Sequence, residues 1–269
     1  GSDPKSAGSV PSFAQTVAII DVDAANLPIG PLEFWPNNGA LHGRFKAGTP
    51  TPEVQLVGGV KAVTFDGTMY YSGPVAPTWM VADSARTVEA WVYNPQIATE
   101  ETVFAWGRRG GPDGSNCSFN HGTDAVFGAV GHWGVADVGW NGKISAGQWN
   151  HIAYTYNPAT YEAIVYSAGQ PANTNDIFSA IGAGLNTHGV NDAPEPDAVP
   201  LTFLIAAQHD ANGAVTETLR GSLSIARIRV YDQALSADAI AQIYNAEVGK
   251  YSAITIQSIT YNAATDALT

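Results

Sequence analysis

Two apolar stretches decide the fold, TVEAWVY at residues 87–93 and WNHIAYT at residues 149–155. Both are rich in β-branched and aromatic residues, a composition that is typical of β-strands. The chain between them carries the densest group of aromatic, basic and amide side chains in the protein: Trp106, Arg108, Arg109, Asn116, Asn120, His121, His132, Trp133 and Trp140. We therefore interpret residues 87–149 as the centre of the fold and as the best candidate for a ligand surface.

The segments on either side of this centre have the same character. Short apolar runs separated by Gly, Pro, Asn and Asp predict many strands joined by turns. These strands are predicted at residues 17–22, 61–67, 102–108, 117–121, 125–132, 162–167, 201–207 and 222–231. Prolines and glycines interrupt residues 28–39, which are predicted to be a loop. Residues 169–200 are predicted to form one long irregular excursion.

One short helix is well signalled near the C-terminal end. Ser236 is the predicted N-cap, with a hydrophobic staple between Leu235 and Ile240 and an acidic residue, Asp238, in the first turn. Gly249 is predicted to stop the helix. The apolar alternation over residues 251–260 then predicts one more strand.

The composition is that of an acidic protein with a sizeable core. Of the 269 residues, 45% are hydrophobic and only 13% are charged, and 12 Lys and Arg against 24 Asp and Glu give a net charge of −12. This balance disfavours nucleic acids and anionic membranes as partners, because both need basic patches. The single cysteine, Cys117, excludes an intramolecular disulfide. No apolar run approaches the ~18 residues of a membrane span, so no membrane insertion is expected.

Many short strands with one capped helix predict an all-β fold, a two-sheet antiparallel sandwich with a short C-terminal helix. The pattern alone leaves a jelly roll and an immunoglobulin-like sandwich open, and the length favours the jelly roll. The small polar residues 1–15 are expected to be a disordered tail or linker, residues 16–249 to form the sandwich, and residues 250–269 to begin a following, truncated β module or a linker.

Five segments in a fixed order resemble a known family. They are FDG at 65–67, TVEAWV at 87–92, GQWNHIA at 147–153, GSLSIARIRVY at 221–231 and ALSADAI at 234–240. Together they are similar to the laminin-G-like jelly roll of the concanavalin A-like lectin and glucanase superfamily, in a subgroup found in secreted bacterial proteins. The resemblance implies two curved sheets, a first strand that pairs near the last, a carbohydrate or protein ligand, and frequently a structural calcium ion. It also implies an extracellular or cell-surface location beside neighbouring domains of a larger chain.

The candidate binding residues follow from strand alternation in the centre. Alternation places Thr102, Phe104, Trp106 and Arg108 on one face, which we interpret as the face of a groove. Sugars bind flat aromatic rings through C–H groups, and guanidinium or amide groups through hydroxyls. The predicted ligand-binding residues are Trp106, Arg108, Arg109, Asn120, His132, Trp133, Trp140 and Gln208. The alternative is that these aromatics are plain core and the arginines are rim charges.

Catalysis is not expected, because the strand-borne Glu-x-Asp-x-Glu pattern of the glucanase branch is absent from the chain. The leading hypothesis is a non-catalytic carbohydrate-binding module with a poly- or oligosaccharide ligand. A structural or adhesive protein-interaction spacer and an enzyme with an unrecognised site are the alternatives. A binding module needs at least one of Trp106, Trp133 and Trp140 exposed in a groove, whereas a spacer buries them all. The favoured residues for a structural calcium site are Asp21 and Asp23, which leave the first predicted strand together.

Overall fold

A computed structural model describes residues 16–188 and 201–252, together with two short backbone segments at 261–262 and 267–268. The predicted tail at 1–15, the end of the predicted excursion at 189–200 and most of the predicted strand at 251–260 lie outside the described residues. The proposed division of the chain into domains therefore stays a prediction at both ends.

Strands dominate the described chain. In chain order they are β1 (Ile20–Asp23), β2 (Gly30–Pro31), β3 (Phe34–Pro36), β4 (Arg44–Ala47), β5 (Glu53–Val57), β6 (Val60–Thr64), β7 (Tyr71–Val75), β8 (Arg86–Tyr93), β9 (Thr102–Gly107), β10 (Asn116–Asn120), β11 (Val130–Gly131), β12 (Trp149–Asn157), β13 (Glu162–Ser167), β14 (Gln170–Asp176), β15 (Thr202–Ile205), β16 (Ser224–Tyr231), β17 (Tyr261–Asn262) and β18 (Ala267–Leu268). The helices are α1 (Ile177–Ile181) and α2 (Ala237–Tyr251), with 3-10 turns at Thr78–Met80 and Gly134–Ala136.

Two antiparallel sheets form a sandwich. The first sheet has the order β14-β13-β12-β8-β16-β6-β5-β2, with β1 also paired to β16. The second has the order β11-β10-β9-β15-β7-β4-β3. The predicted fold class, a two-sheet antiparallel sandwich with a helix near the C-terminus, is therefore confirmed. The two quoted strands, β8 and β12, pair with each other at the centre of the first sheet, with Trp91 opposite His151.

The core fills the space between the sheets with aromatic and branched side chains. One large hydrophobic cluster contains residues from Ile19 to Val230, and Trp35, Trp106, Phe104 and Phe119 are among its fully buried members. The ends of the chain close the fold because β1 pairs with β16, where Ile20 lies opposite Val230. The predicted pairing of the first strand with the last one of the sandwich is therefore confirmed.

Three local predictions are wrong. Residues 125–132 were expected to be a strand, but only Val130 and Gly131 are in one, because Asp124 accepts hydrogen bonds from the backbone of Val126 and Phe127 and makes a turn. Residues 169–200 were expected to be irregular, yet they begin with β14 and α1. Polar side chains fill β14 because it is the outermost strand of its sheet. The predicted loop at 28–39 contains β2 and β3.

Helix α2 packs on the outer face of the first sheet. Ser236 Oγ accepts a hydrogen bond from Ala239 N at 3.2 Å, which confirms the predicted N-cap. The helix does not stop at Gly249 but continues to Tyr251, whose ring stacks on Trp91 at 3.9 Å between centroids. This stacking holds the last turn in place and overrides the helix-breaking preference of glycine.

A buried ionic network fixes α2 further. Arg229 pairs with Glu89 at 2.7 Å and with Glu247 of the helix, and His151 lies 3.0 Å from Glu89. The charge of Arg229 lowers the pKa of Glu89 against the opposing effect of burial. Trp91 Nε1 donates to Glu247 Oε2 at 2.9 Å. The network occupies a face of the sheet that the helix covers, so we assign it a structural role.

Candidate ligand-binding site

A pocket of about 350 Å³ opens on the outer face of the second sheet. Its lining includes residues from β10, from the turn before β9 and from the 3-10 turn that follows β11: Glu100, Arg109, Asn116, Ser118, Phe127, Gly131, Trp133, Gly134 and Asp137. All of these come from the central stretch of the sequence. The pocket is therefore formed by the part of the chain that is richest in aromatic, basic and amide side chains.

Alternation along β10 builds the floor of the pocket. Cys117 and Phe119 point into the hydrophobic core. Asn116, Ser118 and Asn120 therefore point to the opposite, outer face. All three are almost fully buried. A sheet face that carries a row of buried polar groups is expensive unless the groups are hydrogen-bonded, so such a row is a candidate for specific recognition.

The prediction that Thr102, Phe104, Trp106 and Arg108 share a face that lines a groove is wrong. Phe104 and Trp106 belong to the core cluster, and Trp106 is fully buried, with its Nε1 donating to Met80 O at 2.9 Å. A register shift lies between Phe119 and Asn120 of β10, opposite this part of β9. It places Thr102 opposite Asn120 on the outer face while Phe104 faces inward. Trp106 therefore offers no ring face to a ligand.

Two further predicted ligand residues are also buried in the core. Trp140 is 2% exposed, and its Nε1 donates to Asn120 O at 3.2 Å. His132 is fully buried, with one ring nitrogen 2.7 Å from Ala136 O and the other 2.7 Å from Tyr154 Oη. Burial lowers the pKa of His132 to about 4, so the ring is neutral at physiological pH. Both residues support the pocket from below and do not contact its opening.

Trp133 and Arg109, two of the predicted ligand-binding residues, line the pocket. Trp133 is partly exposed, and the Arg109 guanidinium lies 5.5 Å from the centroid of its ring. Trp133 has a φ of 72°, in the left-handed region that a bulky side chain rarely adopts. Such backbone strain persists only where the surroundings impose it, and it is concentrated at functional sites. Trp133 is thus a partly exposed aromatic ring held in a costly conformation beside a pocket.

Two further predicted residues, Gln208 and Arg108, have different outcomes. Gln208 is fully buried behind the pocket, where it contacts both Glu100 and Asn116. Arg108 extends away from the pocket, and its Nη1 donates to Ala211 O at 3.0 Å. Gly107 separates Trp106 from Arg108 with a φ of +75°, which ends the strand and breaks the alternation that the prediction relied on.

The hydrogen bonds fix the orientation of every amide around the pocket. Glu100 Oε1 can only accept, so the Gln208 atom 2.8 Å away is the donor Nε2. Gln208 Oε1 then faces Asn116, whose Nδ2 must donate to it, at 3.2 Å. Asn116 Oδ1 is consequently left buried with no hydrogen-bond partner in the described part of the chain. This series of hydrogen bonds, from Asn116 through Gln208 to Glu100, leaves Asn116 Oδ1 as an acceptor without a donor.

Asn120 follows the same logic. Its Nδ2 donates to Phe127 O at 3.2 Å and lies 3.5 Å from Glu100 Oε1, both of which are acceptors. Its Oδ1 is buried and has no partner within the described residues. Leaving a buried polar atom unpaired costs about 1–3 kcal/mol. Both oxygens therefore carry this cost in the folded protein.

Asp137 and Glu100 are pocket residues that the sequence interpretation missed. Burial, helped by the nearby charge of Glu100, raises the pKa of Asp137 to about 7 against the backbone N–H groups of His132 and Trp133 and the charge of Arg109, which act in the opposite direction. His132 N donates to Asp137 Oδ1 at 2.7 Å. Arg109 Nη1 lies 3.4 Å from Glu100 Oε1. The signal that could have found the floor is the amide repeat at Asn116 and Asn120, whereas nothing local marks the two acids.

Asp21 and Asp23 do not fit a calcium site. Asp21 accepts hydrogen bonds from Arg227 Nε at 2.9 Å and Nη2 at 2.8 Å, so both of its oxygens are engaged. Asp23 lies on the same strand, 3.7 Å from the same guanidinium, and accepts from Ala25 N. The positive charge of Arg227 occupies the place that a cation would take. Within the described residues, no group of three or more His, Cys, Asp or Glu side chains is placed to hold a metal.

The fold has solved relatives of low sequence identity. The binding domain of Paraclostridial Mosquitocidal Protein 1 matches with a TM-score of 0.53 and 11% identity, over 86% of this chain and 52% of that one. Domain 4 of AbnA, a GH43 extracellular arabinanase from Geobacillus stearothermophilus in complex with arabinotriose, matches with a TM-score of 0.51 and 15% identity, over 85% of this chain and 98% of that one. Trypanosoma rangeli sialidase in complex with sialic acid matches with a TM-score of 0.53 and 14% identity, over 85% of this chain and 33% of that one.

These likenesses concern the β-sandwich architecture. This chain spans about half of the toxin binding domain, about a third of the sialidase and nearly all of the arabinanase domain. No protein-family model and no curated protein sequence matches the chain. In the part of the chain that the structure describes, no helix is long and apolar enough to cross a membrane.

Proposed function

We propose that this chain is a non-catalytic carbohydrate-binding module of a secreted or cell-surface protein, and that the pocket on the outer face of the second sheet is its binding site. The observation that carries the proposal is Trp133, a partly exposed tryptophan with a φ of 72° at the edge of a pocket floored by buried amides. Aromatic rings pack against the C–H faces of sugars, and amides and carboxylates bind sugar hydroxyls. The laminin-G-like resemblance adds to this proposal, since that family binds carbohydrates or proteins.

The solved relatives support the same proposal. One of them is a binding domain by name, and the arabinanase domain was solved with a bound trisaccharide. The spacer alternative requires that all three candidate tryptophans be buried. Trp106 and Trp140 are buried, but Trp133 is not, so this criterion favours the binding module.

The first experiment is a glycan array, followed by titration calorimetry with the best ligand for wild type, Trp133→Ala and Trp79→Ala. Trp79 is the matched control because it is 51% exposed and lies outside the pocket. We expect Trp133→Ala to lose roughly 1–3 kcal/mol of binding, the range for removing one well-packed aromatic contact. We expect Trp79→Ala to bind like the wild type. Absence of any glycan ligand, or equal loss in both variants, contradicts the proposal.

Glycoside hydrolysis is the second candidate, because Glu100 and Asp137 line the same pocket. Two carboxyl groups that flank the bound sugar are the usual acid–base pair of such enzymes. The missing strand-borne pattern of the glucanase branch supports binding over hydrolysis. We expect a bound oligosaccharide to be recovered intact after long incubation, as checked by chromatography. Cleavage that disappears in both Glu100→Gln and Asp137→Asn would establish the enzyme instead.

A further inference from the structure

The pocket lining carries two carboxylates, those of Glu100 and Asp137, and one guanidinium, that of Arg109. Gln208 Nε2 donates to Glu100 Oε1 from behind the pocket, and Asn116 Nδ2 donates to Gln208 Oε1. A ligand that brings hydrogen-bond donors can satisfy the carboxylates. A ligand that brings a further carboxylate, such as an acidic sugar, would meet repulsion from them.

The charges point in the same direction. Arg109 is the cation of the pocket lining, and it lies against Glu100, with 3.4 Å between Nη1 and Oε1. It therefore balances one of the two carboxylates. Asp137 accepts a hydrogen bond from His132 N, and within the described chain no salt bridge pairs its carboxylate with a basic side chain. The pocket consequently holds one carboxyl group more than its own cation can pair with.

From this excess of carboxylates over cations, we propose that the pocket recognises a saccharide that carries a protonated primary amine, that is, an amino sugar with a free amine. The ammonium group supplies three donors and one positive charge, which the carboxylates of Asp137 and Glu100 can accept while the sugar ring packs on Trp133. The inference rests on the proposed function, because it names the ligand class of the same site.

Burial accounts for why Asp137 suits this role. Its pKa is raised to about 7 in the free protein, because a buried carboxylate without a cation is unfavourable. An ammonium placed beside it would favour the ionised form. The ligand would then take up the part that a basic side chain plays at other buried carboxylates in this chain, such as Glu89 beside Arg229.

The test is titration calorimetry at pH 7 and fixed ionic strength with three sets of oligosaccharides of equal length. They are β-1,4-linked glucosamine, N-acetylglucosamine and glucose oligomers, which share a backbone and differ at one substituent. The variants are Asp137→Asn, which keeps an acceptor for His132 N, and Asp113→Asn. Asp113 is the matched control, because it is exposed and adjoins Gly134 at the pocket edge without lining the pocket.

We expect the wild type and Asp113→Asn to bind the free-amine oligomer at least tenfold more tightly than the other two, and Asp137→Asn to lose that preference. Equal affinity for all three oligomers, or preference for the acetylated or neutral one, overturns this inference and leaves the proposed function standing. A preference that survives Asp137→Asn, or that falls equally in Asp113→Asn, also overturns it, since it reflects general attraction of a cation to an acidic protein. Failure of the protein to bind these and all other glycans overturns both proposals.

Discussion

Gln208 Nε2 donates a 2.8 Å hydrogen bond to Glu100 Oε1 and a second one, also of 2.8 Å, to Thr102 Oγ1. These contacts bring together two parts of the chain that are 108 residues apart. They also orient Asn116 through Gln208 Oε1. The buried side chain of Gln208 therefore determines which atoms beside the pocket floor donate hydrogen bonds and which accept them.

The first prediction concerns this glutamine. Gln208→Glu replaces the donor by a second carboxylate beside Glu100, so two like charges meet in a buried site and one acceptor pair is left unsatisfied. We expect a loss of about 2–3 kcal/mol in the free energy of unfolding at pH 8, measured by urea denaturation. The loss should shrink at pH 5, where one of the two acids can hold a proton.

Gln55→Glu is the control for this prediction. Gln55 also donates to a neighbouring carboxylate, Glu53 Oε2 at 3.4 Å, but the pair is exposed. Its replacement should change stability by less than ~0.5 kcal/mol. If the two variants are equally stable, Gln208 does not hold the floor together.

The second prediction separates the buried tryptophan from the exposed one. Trp106→Ala removes a fully buried ring and its hydrogen bond to Met80 O, so we expect a loss of roughly 3–5 kcal/mol in unfolding free energy. Trp133→Ala should leave the fold nearly as stable as the wild type and change ligand binding instead. Comparable stability of Trp106→Ala and Trp133→Ala in denaturant would contradict the assignment of Trp106 to the core.

A third prediction compares two buried histidines. His121 is fully buried, and neither ring nitrogen has a hydrogen-bond partner in the described chain, whereas both nitrogens of His132 are paired. His121→Leu should therefore stabilise the protein by about 1 kcal/mol or more, since it removes unsatisfied polar atoms. His132→Leu should destabilise it, since it leaves Ala136 O and Tyr154 Oη unpaired. The opposite order of melting temperatures would refute this account.

The same histidines make the protein sensitive to acid. Burial lowers the pKa of each to about 4 in the folded state, whereas the ordinary value is 6.5. Between these values the unfolded chain binds more protons, so stability falls as the pH drops below 6.5. Each histidine should lower the free energy of unfolding by on the order of 2 kcal/mol when the pH is reduced from 8 to 5. The His121→Leu variant should lose less stability than the wild type over this interval, and equal losses would show that His121 does not titrate as described.

The fourth prediction concerns Asp137, whose titration has the opposite sign. Its pKa is raised to about 7 by burial, so the folded state binds the proton more tightly than the unfolded state and loses stability as the pH rises through 7. Asp137→Asn should therefore stabilise the protein by about 2–3 kcal/mol more at pH 8 than at pH 5. A variant with the same stability difference at both pH values would exclude an uncompensated carboxylate at this position.

The sandwich could be predicted from the sequence because the composition of the strands and the residues typical of turns are enough to indicate it. β8, β12, β16 and the N-cap of α2 appear where the pattern placed them. The direction in which β9 faces could not be predicted. Every residue of β9 is buried, so its two faces lack the polar contrast that alternation needs, and the register shift beside it moves Thr102 to the other face.

The site was predicted only in part, for a related reason. Arg109 and Trp133 line the pocket and Asn120 and Gln208 lie at it, because the centre of the chain supplies the outer face of the second sheet. Glu100 and Asp137 were missed, since they lie in separate segments of the chain that meet only in the folded protein. A single acid beside a turn is ordinary in sequence, and only the fold brings these two to one pocket.

The placement of α2 has one more consequence. Tyr251, at the end of the helix, stacks on Trp91 on the outer face of the first sheet, and Thr16 borders a cavity beside the same helix together with Glu247. The described chain therefore enters and leaves the sandwich on one broad side, while the pocket opens on the other. If the pocket binds a ligand as proposed, Thr16 and Tyr251 lie on the side of the sandwich that faces away from that ligand.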